Sequence, residues 1–128
     1  MTAEQKQFLK DLSEKYDLTK DDFFLQKSQG WVIIKRTGID KIQGKEAIEV
    51  EFNLEEYDTA RNIVVVKARG SYKEKYIESY GEANQGNCKN LYPVAMAEKR
   101  ALSRVVLKLV GAYAEGIYSE DEADEFKD

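Results

Sequence analysis

The sequence predicts an α+β protein: an antiparallel β-meander of about four strands packed against a long C-terminal helix, with a further helix at the N-terminus. Three observations lead there. Apolar residues recur with helical spacing near both ends of the chain, strict alternation replaces that spacing between 47 and 54, and the alternating or β-rich runs are joined by connections of hairpin length.

The run Thr2-Ala3-Glu4-Gln5 is a capping-box signature, and Phe8, Leu9, Leu12 and Tyr16 continue it, so a helix is expected over 3–16. Thr19 is placed to cap a short second helix, Lys20 to Leu25, which Ser28-Gln29-Gly30 would end. Trp31 to Lys35 reads as a strand, and Gly38 to Gln43 as a turn or one helical turn that delivers Ile39 and Ile42 inward. Next, Ile48, Val50, Phe52 and Leu54 alternate with Ala47, Glu49, Glu51 and Asn53, the pattern of a strand with one wet face. Tyr57-Asp58-Thr59 supplies a turn, Arg61 to Arg69 a strand, Gly70-Ser71 a break, and Tyr72 to Gly81 the last strand. On that strand Tyr72, Tyr76 and Tyr80 share one face, opposite Lys73, Lys75 and Ile77. The Asn- and Gly-rich stretch Glu82 to Lys89 then links sheet to helix.

In the final helix Pro93 suits the first turn, where its missing N–H costs nothing, and Gly111 suits the end. Arg100, Arg104 and Lys108 recur at i, i+4 and i+8 and stack along one stripe. Met96, Leu102, Val105, Val106, Leu109 and Val110 lie opposite and call for burial.

Composition narrows the function. The 128 residues are the length of one domain, with no internal repeat. Apolar runs such as Ile63 to Val66 are far too short to span a membrane, and Met1 to Gln5 lacks the apolar stretch of a secretory signal, so an intracellular, soluble protein is expected. Cys88 alone forms no internal disulfide, and the chain has no histidine, which excludes triads of the Ser-His-Asp type and Cys/His zinc sites. The carboxylates are scattered rather than spaced as a metal-ligand set, and where a nuclease strand would carry an acid followed by E-x-K, this one reads Val65-Val66-Lys67. No cofactor, metal or catalytic residue is expected. The net charge of −4 is local: Ser119 to Asp128 holds six acids and one lysine, leaving residues 1–118 near +1. The chain therefore divides into a single domain, 1–118, and an acidic tail, 119–128. Ser119 with Glu122 also reads as a capping box, so the tail is either a short acidic helix or an interaction segment.

Lys67 and Arg69 fall on one face of their strand, Lys73, Lys75, Tyr72 and Tyr76 follow across the hairpin, and Lys35 and Arg36 close the first strand. Cations interleaved with aromatic rings suit single-stranded nucleic acid, the cations tracking phosphates and the rings stacking on bases. Glu49, Glu51, Glu74 and Glu78 are intermixed, which equally describes a charge-paired sheet surface.

The run Gly81-Glu82-Ala83, the linker, a helix with Ala97-Glu98-Lys99-Arg100-Ala101 and Arg104, then Gly111-Ala112-Tyr113 and Ile117-Tyr118-Ser119, resembles the small phage recombination proteins of the single-strand annealing superfamily. More remotely it is similar to the core of the eukaryotic ring-forming annealing protein of the Rad-fifty-two type. The likeness covers Trp31 to Glu122 and is motif-like over Ala97 to Gly111. It implies a meander on a long helix, with basic residues of helix and hairpin lining a groove for single-stranded DNA. Arg104 and Lys108 match the basic helix positions best, and Lys99 and Arg100 the polar pair, with a structural ion-pair role open for Arg100. Val105 stands where the family often has a further basic residue. The expectation is a non-enzymatic single-stranded DNA-binding protein of phage recombination or replication, promoting annealing in the bacterial cytoplasm as a homo-oligomer. Its DNA contacts would be Lys99, Arg100, Arg104, Lys108, Lys67, Arg69, Lys73, Lys75, Tyr72 and Tyr76, with a replication or recombination partner on the tail. The rivals are a protein-interaction adaptor with an acidic tail and a carboxylate metal-dependent nuclease.

Overall fold

The computed structural model describes residues 2–26, 31–88, 91–112 and 115–121. Among these residues three α-helices and two three-stranded sheets occur in the order α1 (Ala3–Tyr16), β1 (Phe23–Gln26), β2 (Trp31–Ile34), α2 (Arg36–Glu46), β3 (Glu49–Asp58), β4 (Ile63–Tyr72), β5 (Lys75–Ala83), α3 (Pro93–Leu109) and β6 (Ile117–Ser119). The larger sheet is an antiparallel meander in the order β3-β4-β5. The smaller has the order β1-β2-β6, antiparallel between β1 and β2 and parallel between β2 and β6. The expected four-strand meander is thus a three-strand one: the Trp31 strand belongs to the second sheet, and α3 is followed by β6 rather than ending the fold.

The N-terminal helix forms over the residues expected, closed by the reciprocal Thr2–Gln5 capping box. The expected helix at Lys20 to Leu25 is one 3-10 turn, Lys20–Asp22, capped by Thr19. It stops because Phe23 to Gln26 pair with Trp31 to Ile34, and a sheet ladder outweighs the weak propensity of a six-residue helix. The Ser28-Gln29-Gly30 breaker lies outside the described residues. Gly38 to Gln43, read as a turn or one helical turn, is the middle of the eleven-residue α2, which buries Ile39 and Ile42 completely.

Helix α3 joins two cores. Ile34, Ile39, Ile42, Leu107 and Ile117, all fully buried, fill the space between the small sheet, α2 and α3. Val64, Val66 and Ala68 of β4 meet Ala97, Ala101 and Val105 of α3 on one face of the larger sheet. Each fully buried Val, Leu or Ile side chain contributes about 1.5–3 kcal/mol. Contact is closest at two glycines. A Cβ on Gly81 would stand 2.0 Å from the Ala97 carbonyl oxygen, and one on Gly70 2.3 Å from Val105 Cγ1. Gly70 is therefore a seat for the helix in mid-strand, not the expected break, and the chain turns at Lys73-Glu74 instead.

Two polar ties fix the remaining elements. Asp22, 2% exposed, receives Lys41 Nζ at 2.8 Å, Thr37 Oγ1 at 2.6 Å and the Thr19 amide at 2.9 Å. Burial alone would raise its carboxyl, but these hydrogen bonds and the Lys41 charge outweigh it and hold the pKa at about 2. Glu46 at the end of α2 accepts from Tyr16 Oη at 2.9 Å and lies 3.6 Å from Lys15 Nζ. A hydrogen bond from Tyr72 holds its carboxyl low, against burial and with help from Tyr16 and Lys15.

Candidate nucleic-acid interface

The basic stripe of α3 runs along the outer side of β5. Arg100 Nη1 donates to the Glu82 carbonyl at 2.8 Å, and Arg104 Nη1 to the Tyr80 carbonyl at 2.6 Å. Lys108 Nζ reaches Ser79 Oγ at 3.0 Å. Glu82 and Tyr80 are alternate residues of an outermost strand, so these are the carbonyls an edge leaves without a ladder partner. The helical repeat of four residues matches the two-residue repeat of the strand closely enough for successive cations to meet successive edge carbonyls.

Arg100 is wholly buried. Three more of its N–H groups donate to the Asn87 side chain at 3.1 Å, to the Asn87 carbonyl, and from Nε to the Asp121 carbonyl at 3.1 Å. A wholly buried guanidinium with four of its five N–H groups on protein oxygens is out of reach of a phosphate, so Arg100 leaves the set of binding residues and takes the structural role. Arg104 grips Glu82 with a two-pronged ion pair, at 2.8 and 3.0 Å, and only 17% of its side chain is exposed. Those hydrogen bonds, the Arg104 charge and the more distant Arg100 charge hold the Glu82 carboxyl low against its burial. Lys99 and Lys108 are exposed. They lie about 14 Å apart along the axis, nine residues at ~1.5 Å each, so Lys99 stands apart from the hairpin.

Tyr72 also changes place. It is the last residue of β4, not the first of β5, and packs half-buried against the core beside its bond to Glu46. Tyr76 and Tyr80 share the opposite face and are 61% and 51% exposed. The sheet face turned away from α3 carries Lys67 and Arg69 on its central strand. Lys67 is engaged by Glu55 at 3.6 Å and Glu78 at 3.9 Å. Arg69, between Glu51 and Glu78 in register, stacks 3.8 Å from the centroid of the Tyr76 ring. Lys73, at φ 56° in the turn, holds its ammonium 5.1 Å from the Tyr72 ring, and Lys75 beside it is exposed.

Of the ten expected contacts, the fold brings Arg69 and Tyr76 together on the face turned away from α3 and adds Tyr80 there, while Lys73 and Lys75 stand at the same hairpin on the Tyr72 side. Sequence reasoning missed Glu82, Asn87 and Asp121 as the partners that consume the arginines. The signal for Arg100 was available: Ala97 and Ala101 flanking it are the small residues of a helix face pressed close to the backbone at Gly81. The first residues of the expected tail are seated as well. Ser119 is a buried β6 residue, and Asp121 accepts from Ser103 Oγ at 2.6 Å and lies 3.7 Å from Arg36 Nη1. Residues 122–128, with the rest of the Ser119–Glu122 capping box, lie outside the described residues. Among the described residues no three His, Cys, Asp or Glu side chains converge as a metal site, and no helix is long and apolar enough to cross a membrane. No family model, curated protein or solved structure matches the chain.

Proposed function

We propose that this protein binds single-stranded nucleic acid at the hairpin end of the larger sheet and promotes annealing of complementary strands. Arg69 on this open face, and Lys73, Lys75 and Lys108 around the hairpin and the β5 edge, would track the phosphates, and Tyr76 and Tyr80 would stack on bases, leaving base edges free to pair. The observation that carries this reading is the Arg69–Tyr76 stack beside exposed Tyr80 on a solvent-open sheet face. A cation already aligned over an exposed ring offers a base and its phosphate adjacent partners at little ordering cost.

The test is fluorescence anisotropy with a labelled poly-dT strand and its duplex across a salt series. Preference for the single strand is expected, with log affinity falling by about 0.7 per contacted phosphate per unit of log salt. Tyr76→Ala should weaken binding about fivefold or more, the low end of a ~1–3 kcal/mol stacking contribution. Salt-independent binding, or affinity unchanged in both Tyr76→Ala and Arg69→Ala, overturns the proposal.

One observation favours a second reading, a protein-interaction adaptor. Two of the three stripe cations are committed to β5 and Glu82. That reading expects no poly-dT affinity in the same assay.

A further inference from the structure

The two outer strands of the larger sheet end differently. Cations from α3 occupy carbonyls of β5, whereas β3 has β4 on one side and, among the described residues, no strand on the other. Its ten residues present two rows. Phe52, Leu54 and Tyr57, on the α3 side, are 37%, 55% and 53% exposed, and Tyr57 borders exposed Leu91 and Tyr92 ahead of the helix. On the opposite face stand Glu49, Glu51 and Glu56, all exposed.

The neighbour that β3 already has shows what complements these rows. β4 sets Val64, Val66 and Ala68 beside the apolar row and Lys67 and Arg69 beside the acidic one, with Arg69 opposite Glu51 and Lys67 3.6 Å from Glu55. A strand on the free side meets the same two rows. We propose that the free edge of β3 takes up an extended segment of another protein, its residues alternating apolar and basic, by strand addition. The described edges of this chain do not match that pattern. Phe23 to Gln26 and Ile117 to Ser119 carry no cation, Tyr76 and Glu78 on β5 would set an acid against acids, and the terminal Ser119 to Asp128 is acidic.

The probe is a synthetic peptide with the β4 sequence, Ile63 to Tyr72, compared by calorimetry with the same peptide carrying Glu in place of its Lys and Arg. Binding of the basic peptide, weaker by tenfold or more for the acidic one and for the Glu51→Lys protein, is expected, with hydrogen-exchange protection gained in β3. Leu54→Lys should also abolish binding. Both variants change exposed side chains, and an unchanged melting temperature shows that they fold. No binding, equal affinity for both peptides, or protection elsewhere overturns the proposal. So does concentration-dependent self-association that Leu54→Lys abolishes, which assigns the edge to a second copy of this chain.

Discussion

Arg100 and Lys108 stand two turns apart on one stripe of α3, and the sheet beneath treats them oppositely. Arg100 is enclosed by Glu82, the Asn84–Asn87 turn and the chain leaving β6. Lys108, near the end of the helix, meets one hydroxyl and otherwise faces water. Arg104, between them, is intermediate in burial and in partners. Helical spacing identifies which residues share a stripe; the surroundings at each turn decide whether a cation serves the fold or remains available to a ligand.

The largest break in this gradient is expected at its buried end. Arg100→Leu strands the carbonyls of Glu82, Asn87 and Asp121, each unsatisfied group costing about 1–3 kcal/mol, so a loss of about 3 kcal/mol or more is expected in urea unfolding. Gly81→Ala should cost as much by another route, forcing α3 off the strand through a backbone clash that no rotamer relieves.

Arg104→Ala should cost about 1–2 kcal/mol, less because its pair is partly solvated. Arg104→Lys should recover only part of that, since an ammonium cannot reproduce the fork on Glu82.

The same pair sets a pH dependence. The Glu82 carboxyl is lowered in the folded state, so its contribution is present above its unfolded value of 4.5 and is lost as pH falls through the lower folded value. Melting temperatures of wild type and Glu82→Gln should therefore converge at acid pH and separate towards neutrality, wild type being the more stable.

Lys108→Ala is expected to be the mildest, within about 0.5 kcal/mol in stability. On the proposed function it removes one phosphate contact and flattens the salt dependence by about 0.7. A stability loss as large as that of Arg100→Leu would erase the contrast between the two ends.

Much of the fold was legible locally. The Thr2–Gln5 box placed α1, alternation gave the two rows of β3, and Pro93 opened α3 at its first residue. Long-range pairing overrode the expected Lys20 to Leu25 helix, and glycine misplaced other boundaries. Gly38 and Gly70 look like turn residues, yet each lies where a Cβ would collide with a neighbouring side chain, Ile34 or Val105. A glycine that permits close packing and one that permits a turn are identical in sequence. Tyr72 was misplaced for the same reason, because reading Gly70 as a break moved the hairpin three residues early.

The sequence by itself determined the class of fold, the helical stripe and the separation of acidic terminus from near-neutral body, because periodicity and charge are properties of neighbours along the chain. Tertiary structure alone decided that β2 pairs with β6 across more than eighty residues, that the stripe lies on the edge of β5, and that Arg100 is inside while Lys108 is outside. Those outcomes depend on which carbonyls a distant strand leaves unpaired. A buried guanidinium persists only where such carbonyls are gathered around it, and their positions are set by the packing of the whole chain.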